Sequence, residues 1–86
     1  MKVIHRKKLA ELGITSKSYC DQEPWPPRWG ITLDGPRSKM VVDNTPKSAD
    51  GDGKYHLRPA RGSNESYGAF KTQREAIAGY IAMTYL

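Results

Sequence analysis

One cysteine, Cys20, and one phenylalanine, Phe70, stand in a chain of 86 residues. A lone thiol excludes an intrachain disulfide and a thiolate zinc cluster, and such usage suits a reducing compartment. Long apolar runs are also missing. The most apolar stretch, positions 76 to 86, is too short to cross a bilayer, and the basic start from Met1 to Lys8 leads into no apolar signal segment. The expectation is a cytoplasmic protein without a membrane anchor. Acidic side chains are few, nine against fourteen Lys and Arg, and the net charge of +5 favours polyanionic partners.

The chemistry of catalysis is absent too. There is no Ser-centred nucleophile elbow and no phosphate-binding glycine loop. "DGDG" (50–53) spaces two carboxylates like part of a calcium loop, but Lys54 and Arg61 then fall at ligand positions five and twelve, so it reads as a turn. His5, His56 and Cys20 have no metal-ligand or nucleophile–base spacing. The chain reads as a non-enzyme with no cofactor and no metal.

What is present is punctuated clearly. Thr72 followed by Glu75 is a capping-box pattern before an apolar-rich run. Ile77, Ala78, Ile81, Ala82 and Tyr85 then recur at helical spacing, which predicts a helix over 72–86. Gly79 costs that helix about 0.8–1 kcal/mol against Ala, so a close approach of another element is expected there. Trp29 to Leu33 alternates with period two, Asp34-Gly35 signals a turn, and Arg37 to Val42 forms a returning strand. Pro36 after the turn allows a loop longer than two residues. Positions 43–54 read as a polar, flexible connection. Lys54 to Arg58 alternates again, 59–66 is a loop, and "YGAF" (67–70) is a short fourth strand or the entry to the helix.

At the other end, Arg6 to Leu12 carries a helix pattern and Gly13 is its stop, within a basic helical segment 1–22. "EPWPPRWG" (23–30) spans a proline-rich connection, 23–28, into the sheet region 29–71. The expected architecture is a single α+β domain. It has a small antiparallel sheet of three strands, four if 67–70 adds one, packed against a C-terminal helix, with a short N-terminal helix.

A chain this short buries only about 60–65% of its unfolded surface, so large apolar residues are needed for the core. Alternation puts Trp29, Ile31, Leu33, Met40, Val42, Tyr55 and Leu57 under the C-terminal helix. Trp29 is therefore assigned to the core, whereas Trp25 either packs over the core edge or projects as a contact. The opposite face would carry Thr32, Lys39, Lys54, His56 and Arg58, with Arg37 and Arg61 near its ends. That face is basic. The first nineteen residues carry +4 and positions 24 to 62 carry +3. Candidate contacts for a nucleic acid or other partner are thus Arg6, Lys7, Lys8, Lys17, Trp25, Arg28, Arg37, Lys39, Lys54, His56, Arg58 and Arg61.

A strand opening at Trp29, a hairpin with basic outward positions, a third strand and "YGAFKTQREAIAGYIA" (67–82) together resemble the small three-stranded-sheet-plus-helix DNA-binding domains. These occur at the N-termini of phage and transposon integrases and in plant ethylene-response factors. Gly68, Phe70, Thr72, Glu75 and Ala76 match the closing segment of that family, although the connection 43–54 is longer than the family's. The resemblance implies that Lys39, His56 and Arg58 enter a major groove. "KKLAELGITSKSY" with "PWPPRWG" is similar to the excisionase type of winged-helix protein, which implies a second short helix over Ser16 to about Gln22.

The leading expectation is a nucleic-acid-binding protein, DNA before RNA, encoded by a phage or prophage and using a basic sheet face and N-terminal arm. The alternative is a protein-binding inhibitor or accessory factor of phage type that docks an acidic or nucleic-acid-binding host surface, anchored by Trp25. A monomer is favoured. A homodimer would use the wide apolar spread of Tyr80, Met83 and Tyr85.

Overall fold

The C-terminal helix begins as its capping signal requires. Thr72 Oγ1 accepts the Glu75 backbone N–H at 3.1 Å, and the Glu75 carboxylate accepts that of Lys71 at 3.3 Å. From this cap α2 runs over Gln73–Tyr85. The structure, a computed structural model, describes residues 3–22, 27–49 and 51–85. The N-terminal helix α1, Val3–Glu11, ends in a Schellman turn: Gly13, at φ 73°, donates to the Ala10 carbonyl and Ile14 to that of Leu9.

Between the helices lies one antiparallel meander in the order β1-β2-β3-β4-β5. Its strands are β1 Thr15–Asp21, β2 Arg28–Asp34, β3 Lys39–Asn44, β4 Tyr55–Arg58 and β5 Gly68–Phe70. The β2–β3 hairpin forms as expected, with its turn over 35–38 closed by the Gly35 N–H on the Ser38 carbonyl at 3.1 Å. "YGAF" supplies β5. The sheet also gains a strand that the sequence reading assigned elsewhere: "TSKSYCD", where a second helix was expected, is the edge strand β1. Seven paired positions along β2 outweigh the weak helical preference of its Ser and Thr residues.

The helices share one face of the sheet. The α2 helix lies across β3, β4 and β5, while α1 touches β1. Between them Leu9, Ile14, Ile31, Leu33, Val42, Leu57, Ala76, Ile77 and Tyr80 form the buried core. The helical stripe is rotated from the expected one. Ala78 and Ala82 are exposed, whereas Tyr80 is fully buried and donates to the Ser38 carbonyl at 2.8 Å. With Tyr80 inward and Tyr85 half-buried beneath Arg37, only Met83 of the expected dimer surface is exposed. Gly79 fits over the Phe70 ring, where a Cβ would come within 2.7 Å.

Two other expectations change. Trp29 has the inward parity of Ile31 and Leu33 but is 41% exposed, because it lies in the last row of the sheet, outside the buried core cluster. The connection read as 43–54 starts later. Asp43 and Asn44 belong to β3, and Asp43 is fully buried. The Asn44 amide donates to the Gly53 and Lys54 carbonyls at 2.9 and 3.1 Å, so this connection, which contains a 3-10 turn at Lys47–Ala49, is tied to the strand end.

Candidate nucleic-acid interface

Register puts Lys17, Tyr19 and Asp21 of β1, Arg28 and Thr32 of β2, Lys39, Val41 and Asp43 of β3, and His56 and Arg58 of β4 on the sheet face away from the helices. The alternation thus places Thr32, Lys39, His56 and Arg58 together as expected. The loop between β4 and β5 then crosses toward them. Arg58 and Arg28 each donate from Nη1 to the Ser63 carbonyl at 3.3 Å, and Arg58 Nη1 also reaches the Glu65 carbonyl at 3.2 Å. Arg61 reaches the far edge strand and pairs with the Asp21 carboxylate, its Nε donating to Oδ2 at 3.2 Å. Its guanidinium carbon stands 4.4 Å from the centre of the Tyr19 ring.

Asp43 is the hub of this arrangement. Its carboxylate lies 2.9 Å from Arg58 Nε and 3.7 Å from Arg28 Nη1. Charged groups taken out of water need such partners, because the desolvation of an unpaired carboxylate is costly. Tyr19 stands in the same field. Burial, helped by the Asp43 and Asp21 carboxylates, pushes its phenol up to about 12 against the opposing effect of Arg61 and Arg28. The Tyr19 hydroxyl and Asp43 Oδ2 are both buried without a hydrogen-bond partner among the described groups. On the neighbouring strand, His56 Nε2 lies 2.7 Å from Asp52. The Lys54 N–H, with His56 after it, holds the Asp52 carboxyl below its usual value.

Four expected contacts are therefore occupied within the chain: Arg28, Arg58 and Arg61 by carboxylates, and His56 by Asp52. Lys39 pairs loosely with Asp34 at 3.8 Å, both side chains well exposed, which is worth little in water. Lys7, Lys8, Lys17, Arg37 and Lys54 are exposed with no described carboxylate in ion-pair range. Lys47, Lys71 and Arg74, which the sequence reading passed over, share that state. Arg6 lies in α1, and its side chain is outside the description; Trp25 lies outside the described residues altogether.

The helix-side face has an opening that sequence reasoning did not anticipate. The last row of the sheet runs Cys20, Trp29, Asn44, Tyr55, Phe70 in register. Beside it, where α2 begins, a groove of 540 Å³ is walled by Ser16, Ser18, Trp29, Asn44, Tyr55 and Gln73. The hydroxyl–cation alternation of "TSKSY" was the available signal, since small polar residues at period two leave a strand face without bulk.

Cys20 and His56 fall on opposite faces of the sheet. Among the described residues no group of three His, Cys, Asp or Glu side chains gathers to hold a metal, and no helix is long and apolar enough to cross a membrane. No known protein family, curated protein or solved structure matches the chain.

Proposed function

We propose that this protein is a small, non-enzymatic nucleic-acid-binding protein, with DNA favoured over RNA by the resemblance noted above. The observation that carries the reading is the distribution of charge after internal pairing. Asp21, Asp34 and Asp43 are engaged by Arg or Lys side chains of the same chain and Asp52 by the His56 ring, while Lys7, Lys8, Lys17, Arg37, Lys47, Lys54, Lys71 and Arg74 are exposed with no described carboxylate in ion-pair range. Exposed cations without partners attract phosphates through counterion release. In this reading the outer-face arginines hold the fold and the free lysines make the contacts.

A fluorescence anisotropy titration with labelled oligonucleotides tests it. If about six phosphates are engaged, log K falls against log salt with a slope of roughly −5 on a duplex and roughly −4 on a single strand. Absence of binding to either at low salt removes the proposal.

A second reading, docking of an acidic protein surface, is supported by the edge strand β1, which pairs only with β2 among the described residues. An open edge offers backbone groups to a partner strand. A stoichiometric protein partner retained through nuclease treatment, together with no oligonucleotide binding, would favour it.

A further inference from the structure

The geometry points to the groove beside Trp29 as a site for an unpaired nucleobase, so that the preferred ligand is a single strand. This inference rests on the nucleic-acid reading and adds to it the state of the strand. The groove volume of 540 Å³ falls in the range that takes a small planar ligand. Among the described residues no charged side chain lines it. Its walls instead combine two aromatic faces, Trp29 and Tyr55, with the hydroxyls of Ser16 and Ser18 and the side-chain amides of Asn44 and Gln73. The Asn44 amide nitrogen already serves the Gly53 and Lys54 carbonyls, which leaves its Oδ1 to accept. Flat, neutral and edged with donors and acceptors is the description of a base.

Charge sits around this row and outside the groove. Lys54 precedes Tyr55, Lys71 follows Phe70 and Arg74 follows Gln73, all three exposed and with no described carboxylate in ion-pair range. The nearby Glu75 carboxylate is turned to the helix cap, where it accepts the Lys71 N–H. The positive end of the α2 dipole lies at Gln73 and adds to the same field. A neutral aromatic slot with exposed cations next in sequence to Tyr55, Phe70 and Gln73 suits a stacked base whose phosphates lie outside the slot. In a duplex the bases are paired and stacked on each other, so their faces cannot enter.

The test compares a labelled thymidine single strand of about 12 nucleotides, within the span single-strand sites occupy, with a duplex of equal length. The single strand is expected to bind more tightly. Trp29→Ala should weaken single-strand binding about 5- to 150-fold, the range for loss of one stacked base, with Trp29→Phe retaining most of it. Should Trp29→Ala unfold, Ser18→Glu places a carboxylate at the exposed groove wall and should give a loss of at least that size. Photocrosslinking with 4-thiothymidine and tryptic mapping should put the adduct in the peptide 29–37. Single-strand binding no tighter than duplex binding, and unchanged by a folded Trp29→Ala or by Ser18→Glu, would overturn the inference while leaving nucleic-acid binding in place. Adducts confined to peptides of α1 would do the same, and no binding to any oligonucleotide would remove both.

Discussion

Arg58 Nε stands astride the Asp43 carboxylate, 3.0 Å from Oδ1 and 2.9 Å from Oδ2, with 12% and 1% of the two side chains exposed. Removing one partner leaves the other charge buried, which costs about 3–5 kcal/mol. Arg58→Ala and Asp43→Ala should each lower the unfolding free energy by that amount in urea titrations. Lys39→Ala, which breaks the exposed pair with Asp34, should cost less than about 1 kcal/mol. Similar losses for Arg58 and Lys39 would show that the outer-face pair is not a keystone.

The ring of Phe70 under Gly79 makes a second prediction. Gly79→Ala gains about 0.8–1 kcal/mol of helix propensity, but its methyl would stand 2.7 Å from Phe70 Cζ. Overpacking of this kind costs about 1–3 kcal/mol, so the single variant should melt below the wild type. Gly79→Ala with Phe70→Leu should recover most of the loss. A stabilised single variant would place the helix farther from β5 than described.

Tyr19 makes alkaline stability a readout of the outer face. Its folded-state value of about 12 lies above the roughly 10 of an unfolded chain. The folded protein thus keeps a proton that the unfolded chain loses. The contribution is complete below pH 10 and is lost as pH rises toward 12. Tyr19→Phe should flatten the fall in stability across that window. Tyr80, also raised by burial, leaves a residual slope. An identical alkaline profile in Tyr19→Phe would remove the buried phenol from the account.

Trp29 and Leu57 share the helix-facing side of the sheet, yet differ in cover: 41% of Trp29 is exposed and none of Leu57. Leu57→Ala should cost about 2–5 kcal/mol. Trp29→Ala should cost about 1–2 kcal/mol, since much of its surface is already in water. Thermal melts of the two variants decide it. A larger loss for Trp29 would return it to the core and close the groove.

The sequence alone determined whatever depends on a few neighbouring residues. The Thr72–Glu75 cap, the Gly13 stop, the hairpin around Asp34-Gly35 and the two-residue alternation of β2, β3 and β4 act through backbone geometry over a turn or a strand, and all are legible locally. The same alternation placed His56 and Arg58 on one face correctly. It could not tell that Arg61 would meet Asp21 from 40 positions away, or that Tyr80 would turn inward to Ser38 from 42. Nor could it move "TSKSYCD" from helix to strand, because that choice is made by the β2 edge waiting beside it. Only the tertiary structure decided which charges remain free and where Trp29 stands. Pairing and burial depend on which distant segments share a dielectric environment, and that is a property of the assembled sheet and not of any stretch within it.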